Sequence, residues 1–139
     1  MKEAPAWGLF IFTFYFCGVI QYLANPAEYK RKALQWASGF DVCCYMDSNE
    51  FNDSYCKFDA LVAVGVKAEI TADPGAAFEQ LQQFRQKHPG WMTGFFTYDL
   101  KNEIEDLASG NPDSLGFPGL YFFVPQYLLI FKGDKVEVI

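Results

Sequence analysis

Few side chains in this sequence are equipped for chemistry. There is one histidine, His88, and there are four cysteines, Cys17, Cys43, Cys44 and Cys56. A Ser-His-Asp or Cys-His site would have to run through that single imidazole. His88 stands beside Pro89 at the close of a helical stretch and reads as a helix-end residue near the C-terminal dipole. The cysteines form no C-x-x-C pair, and no histidine lies at zinc-ligand spacing from them. They read as small buried hydrophobes in a reduced, cytoplasmic protein. Both glycine-rich phosphate-loop patterns are absent. Glu103, Glu105 and Asp106 share a short helix and read as a solvated face, since a catalytic carboxylate pair needs a pocket. What remains is the loop from Asp47 to Phe58. It sets Ser48, Asn49, Tyr55 and Lys57 between two apolar runs. Hydroxyl, amide and ammonium groups beside aromatic walls suit a small zwitterion. The same loop also reads as an ordinary polar turn.

The elements that hold this loop follow from pattern. The chain has 139 residues, 51% of them hydrophobic and 19% aromatic, which excludes general disorder. That length supports one domain with a real core. A net charge of −6 argues against nucleic acid as a partner. Asn25-Pro26-Ala27-Glu28 is a helix start, with Asn25 as cap, Pro26 at the first helical position and Glu28 placed for a capping box. Tyr29, Ala33, Trp36 and Ala37 fall on one helix face, and Gly39 is expected to end the helix as a left-handed cap. Phe40 to Met46 and Tyr55 to Val66 read as two strands, buried and antiparallel across the polar loop.

Asp73-Pro74 is expected to open a second helix, with Phe78, Leu81 and Phe84 on one face and His88-Pro89-Gly90 as its stop. Trp91 to Tyr98 reads as a strand, and Asp99 as the cap of a short helix through Leu107. Leu120 to Val124, Tyr127 to Phe131 and Val136 to Ile139 read as strands, the last two joined by a Lys132-Gly133-Asp134-Lys135 hairpin. The fold class is α+β with a mainly antiparallel sheet and two to three helices. Residues 1–24 are an apolar N-terminal segment best read as a strand; a membrane span or signal segment is the competing reading. The chain stops within an apolar strand at Val138-Ile139, which suggests a missing neighbour.

Several segments are recognisable together. Thr93-Gly94-Phe95-Phe96-Thr97-Tyr98-Asp99-Leu100-Lys101-Asn102-Glu103-Ile104-Glu105 resembles the glycine-to-Tyr-Asp segment of the chorismate-utilising enzymes. Phe117-Pro118-Gly119-Leu120-Tyr121-Phe122-Phe123 is similar to that family's entry to the next strand. Ala33-Leu34-Gln35-Trp36-Ala37 through Asp47-Ser48-Asn49 resembles its first helix and strand, and Tyr55-Cys56-Lys57-Phe58-Asp59 its Tyr-Ser-Arg-Phe-Asp segment. The resemblance spans Asn25 to Ile139. It is strongest to the aminodeoxychorismate synthase (para-aminobenzoate synthase) component I branch, with the anthranilate synthase branch next.

The resemblance implies that residues 25–139 are an N-terminal, non-catalytic domain, not competent alone to turn over chorismate. The catalytic domain, with its lysine and magnesium-binding glutamates, would be absent from this chain, which would carry no cofactor itself. The parent enzyme would take ammonia from a glutamine amidotransferase subunit and add it to chorismate, on the way to folate. Relatives hold an amino acid, tryptophan, at the serine loop. By position the ligand residues here would be Ser48, Tyr55, Cys56, Lys57 and Phe58. Cys56 stands in place of a serine and Lys57 in place of an arginine. An ammonium is a point charge where a guanidinium is a planar fork, so carboxylate recognition is expected to be looser.

Overall fold

The computed structural model describes residues 18–51, 55–105 and 115–139 of the chain. Its elements are β1 (Val19–Tyr22), α1 (Pro26–Ala37), β2 (Cys43–Asp47), β3 (Ala60–Ala72), α2 (Ala77–Lys87), β4 (Thr93–Phe96), a 3-10 helix (Tyr98–Glu103), β5 (Leu120–Lys132) and β6 (Lys135–Val138). Six strands in one mainly antiparallel sheet, with these helices, make an α+β fold, as the element pattern predicts. Two compact units divide the chain: residues 1–65 with 126–139, and residues 66–125. The long strands β3 and β5 contribute a stretch to each unit. Among the described residues no helix is long and apolar enough to cross a membrane.

In the first unit the strands run in the order β1-β6-β5-β3-β2. Alternation along β3 turns Ala60, Val62 and Val64 to the core, where they meet Leu129 and Phe131 of β5, Val136 of β6, Leu23, and Ala33 and Ala37 of α1. Small alanines on α1 let its backbone approach the sheet closely. The larger Tyr29 and Trp36 fill the margins of the same face. Trp36, Phe40 and Tyr127 meet edge to face, with Trp36–Phe40 centroids 4.9 Å apart. Full burial of a Val, Leu or Phe side chain contributes roughly 1.5–3 kcal/mol. Phe131 and Val62 are therefore among the main sources of this unit's stability.

The ends of α1 show what the local chemistry achieves. Asn25 Oδ1 accepts the Glu28 N–H at 3.2 Å, the expected cap. The reciprocal half of a capping box is replaced by an ion pair, since Glu28 holds Lys32 one turn on. At the other end Gly39 is not left-handed. Ser38 is the C-cap, in a right-handed helical conformation, and the Gly39 and Phe40 N–H groups close short turns onto Trp36 and Ala37.

In the second unit Ala72, Ala77, Leu100 and Leu120 form the buried cluster, flanked by Ile70, Leu81 and Phe122. The helix α2 starts at Ala77, later than Asp73-Pro74 suggests. Its N-cap, Ala76, is left-handed at φ 102° and has no side chain able to cap. Asp73 instead accepts the Gly119 N–H. The cap comes from 26 residues away: the Glu103 carboxylate accepts the N–H groups of Gly75, of Ala76 at 3.0 Å and of Ala77 at 2.8 Å. Four orphan donors at a helix start attract an anion, and here the chain supplies its own. Glu103 is thus no part of a solvated acidic face. The Ala77 N–H bond, working against desolvation, and the Gly75, Phe78 and Ala76 bonds hold its carboxyl below the usual glutamate range.

Other expectations also shift. The strand expected from Tyr55 starts at Ala60, and Tyr55 to Asp59 belong to the loop. The short helix is of 3-10 type and is introduced by Thr97 with no side-chain cap; Asp99 lies inside it. Strands expected on either side of Pro125 are one strand. Buried side chains lie on both sides of the proline (Leu120 and Phe123 before it, Leu128, Leu129 and Phe131 after it). A residue without an N–H in the middle of such a run reads as a break in sequence. The two-residue hairpin turn is as expected, with Gly133 at φ 58°. The helix stop at His88-Pro89-Gly90 is also as expected, with Gly90 at φ 119°. Most of the apolar N-terminal segment, Cys17 and Leu107 lie outside the described residues.

Two outcomes follow. A side chain at Gly94 would overlap the Tyr121 carbonyl and the Phe122 Cα across the β4–β5 ladder. Gly94→Ala is expected to cost about 1–3 kcal/mol in urea unfolding, because the blocking atoms are backbone. Glu103→Gln is expected to lower the thermal midpoint at pH 7. Because the native carboxyl titrates below its unfolded value, its contribution is present above the ordinary glutamate pKa, about 4.3. That contribution is lost as pH falls through the native value, so the gap between wild type and variant closes in acid. Parallel melts from pH 7 to pH 3 by circular dichroism check this.

Candidate functional site

The polar loop hangs from the antiparallel pair β2 and β3, whose register ends at Asp47 opposite Ala60. Backbone bonds close its neck: the Ser48 N–H donates to the Asp59 carbonyl at 2.8 Å, and the Asp59 N–H to the Phe131 carbonyl at 2.7 Å. Within the loop Phe51 N–H donates back to Ser48 O at 3.0 Å. Asn49 and Glu50 are left-handed, at φ 51° and 64°. Asparagine tolerates this region; glutamate seldom enters it.

Each side of the neck carries an aspartate, and each aspartate is paired. Asp47 accepts from Lys30 Nζ at 3.2 Å, from the Tyr45 hydroxyl at 2.7 Å and from the Asn49 N–H at 2.9 Å. Desolvation works to raise its pKa, but the bonds from Tyr45, Asn49 and Lys30 outweigh it and hold the carboxyl below the aspartate range. Burial, with the adjacent carboxylate, pushes the Tyr45 phenol up to about 12, so it stays a donor. Asp59 accepts from Lys132 Nζ at 2.8 Å and the Gly133 N–H at 2.6 Å. Lys132, then Gly133, hold Asp59 low against a smaller desolvation effect. Lys132 Nζ also reaches the Cys56 carbonyl at 3.3 Å.

The residues singled out by sequence land as follows. Ser48 is half-buried at the neck, with its backbone engaged on both sides. Phe58 is half-buried, and Cys56 and Lys57 are exposed. Tyr55 is 89% exposed. The fold therefore brings Ser48 and Cys56 to Phe58 to the two sides of one neck, and leaves Tyr55 at the surface. Among the described residues Lys57 pairs with no carboxylate, whereas Lys30 and Lys132 are both neutralised.

Two sequence readings need correction. The strand before the loop is not buried: β2 ends the sheet order, and only Cys44 and Tyr45 on it are even half-buried. Cys43 and Cys56 are exposed, so the buried-hydrophobe reading fails for both. An edge strand has one side without a neighbour, and a loop residue has no face to bury. Asp47, Asp59, Lys30 and Lys132 were not legible as a set. Asp59 and Lys132 lie 73 residues apart, and no local pattern links them. Among the described residues no group of His, Cys, Asp and Glu side chains is placed to hold a metal. Elsewhere, Arg85, Gly90, Trp91 and Met92 line an open depression on the second unit.

The motif segments also take on physical roles. Gly94 permits the close β4–β5 approach, Leu100 is buried in the second unit's core, and Glu103 caps α2. Thr97 donates from both N–H and hydroxyl to the Gly119 carbonyl, tying the segment to the entry of β5. These roles are structural. The segment between Thr93 and Glu103 builds the second unit and presents Tyr98 outward.

No family model matches the chain. A curated relative does: anthranilate synthase component 1 of Thermus thermophilus is 32% identical over 84 residues. That match takes in 55% of this chain but only 18% of the relative's length. The chain is thus similar to a limited stretch of that synthase.

Proposed function

We propose that this chain is the N-terminal, non-catalytic part of a chorismate-utilising enzyme of the aminodeoxychorismate synthase component I type. The 32% identity to anthranilate synthase component 1 carries the family-level reading. The segment Tyr98 to Glu105 favours the para-aminobenzoate branch. The same identity favours, as the second reading, a component I of anthranilate synthase.

On this reading chorismate binds in a further domain of the same protein. That domain supplies the acid, the lysine and the magnesium-binding carboxylates, and a glutamine amidotransferase subunit delivers ammonia in the cytoplasm. The present residues contribute a packing surface and half of an amino-acid site. Exposed apolar side chains of the second unit support the packing role: Phe96 is 51% exposed, Phe117 61% and Tyr98 80%. Exposed aromatics of this kind are what a packing surface would need.

The loop's share is recognition of a small zwitterion such as L-tryptophan. Lys57 attracts the carboxylate, Ser48 offers its hydroxyl, and Phe58 with Tyr55 and Cys56 borders the side chain. A half-site leaves ligand groups unpaired, so binding to the chain alone is expected to be weak. Titration of the 139-residue chain with L-tryptophan is expected to give a dissociation constant of about 1 mM or more. Micromolar affinity would overturn the half-site reading.

The function itself is tested on the gene's complete product, supplied with chorismate, magnesium and ammonia. Aminodeoxychorismate as the product is the expected result. Anthranilate would transfer the assignment to the second reading, and consumption of no chorismate would overturn both.

A further inference from the structure

Among the described residues, six charged side chains belong to the loop or its neck: Lys30, Asp47, Glu50, Lys57, Asp59 and Lys132. Four of them are consumed in two ion pairs, Lys30–Asp47 at 3.2 Å and Asp59–Lys132 at 2.8 Å. The pairs are not scattered. They flank a backbone bond that closes the neck, Ser48 N–H to Asp59 carbonyl. Each brings in an element remote from the loop: Lys30 comes from α1, and Lys132 from the end of β5 beside the hairpin turn. Each aspartate also takes a backbone N–H, from Asn49 on one side and Gly133 on the other. Lys132 continues to the Cys56 carbonyl, so one ammonium spans the neck aspartate and the loop's returning strand.

A surface ion pair by itself contributes little. The arrangement matters for a different reason. Asp47 orients Asn49, next to Ser48, and Asp59 holds the Ser48 N–H. The two lysines therefore bear on where Ser48 and Lys57 stand relative to each other, although neither lysine is free to meet a ligand's charge. We infer that Lys30 and Lys132 are positioning residues of this loop: they fix its two carboxylate-anchored ends so that Ser48 and Lys57 face one ligand. The assignment of a ligand rests on the amino-acid reading above; the anchoring does not.

The test uses the intact 139-residue chain, labelled with ¹⁵N, as wild type, Lys30→Met, Lys132→Met and Lys132→Arg. Three signals are read on each: amide exchange at Ser48 and Gly133, amide exchange at Val62 and Phe131 in the core, and amide shifts of Ser48, Asn49 and Lys57 with millimolar L-tryptophan. Each methionine variant is expected to speed Ser48 exchange about tenfold, a local opening, with core exchange unchanged. Tryptophan-dependent shifts at Ser48 and Lys57 are expected to shrink together in both methionine variants. Lys132→Arg, which keeps the charge, is expected to restore both signals.

Unchanged Ser48 exchange in both methionine variants would overturn the inference. So would equal acceleration in the core, which would mark the lysines as supports of the whole unit. If Lys132→Met does not fold, Lys30→Met and Lys132→Arg decide by the same readings. Faster Ser48 exchange without any tryptophan shift in the wild type would support the anchoring and overturn the amino-acid reading alone.

Discussion

Asp59 uses every polar group it possesses, and the loop hangs on that saturation. Its N–H donates to Phe131, its carbonyl accepts from Ser48, and its carboxylate accepts from Lys132 and Gly133. The first of these bonds belongs to the sheet, the second closes the loop neck, and the last two reach the β5–β6 hairpin. One residue at the entry of β3 thus converts a sheet position into a loop position. Most of β3's entry is apolar and fully buried, from Ala60 to Val64. The loop is therefore anchored to the least deformable stretch of the first unit. Binding groups placed on rigid strands keep their geometry without needing a rigid loop.

The second unit applies the same device to a different end. A helix whose own cap residue is a left-handed alanine would start poorly. Glu103 supplies the missing acceptor from 26 residues along the chain and ties the 3-10 helix to the start of α2 in doing so. In both units an acidic side chain accepts backbone N–H groups and joins segments distant in sequence. This explains the use of acidic residues better than net charge does. Of those that matter here, Asp47, Asp59 and Glu103 are structural acceptors held ionised by their donors.

How much of this was legible depended on distance along the chain. Features set by neighbours read well. The cap at Asn25, the apolar face of Tyr29, Ala33, Trp36 and Ala37, the glycine turn at Gly133 and the stop after Lys87 all follow from local chemistry. Features set by remote partners did not. Nothing around Glu103 announces a cap for Ala77, and nothing around Lys132 announces Asp59. Pro125 misled because a proline usually ends a strand, whereas here β5 runs through it. Cys43 misled because its apolar neighbours suggest burial, while edge position decides exposure. Of the site residues, the sequence placed Ser48 and Cys56 to Phe58 on one polar loop, and among the described residues Lys57 pairs with no carboxylate. Tyr55 stands at the surface of that loop.

The functional account rests on these residues being one part of a larger enzyme. The most direct measurement is to read the coding sequence past the codon for Ile139. The account predicts an open frame that continues into a chorismate-binding domain with its lysine and magnesium-binding carboxylates. A stop codon at that point, with no separate gene for such a domain beside it, would contradict the account.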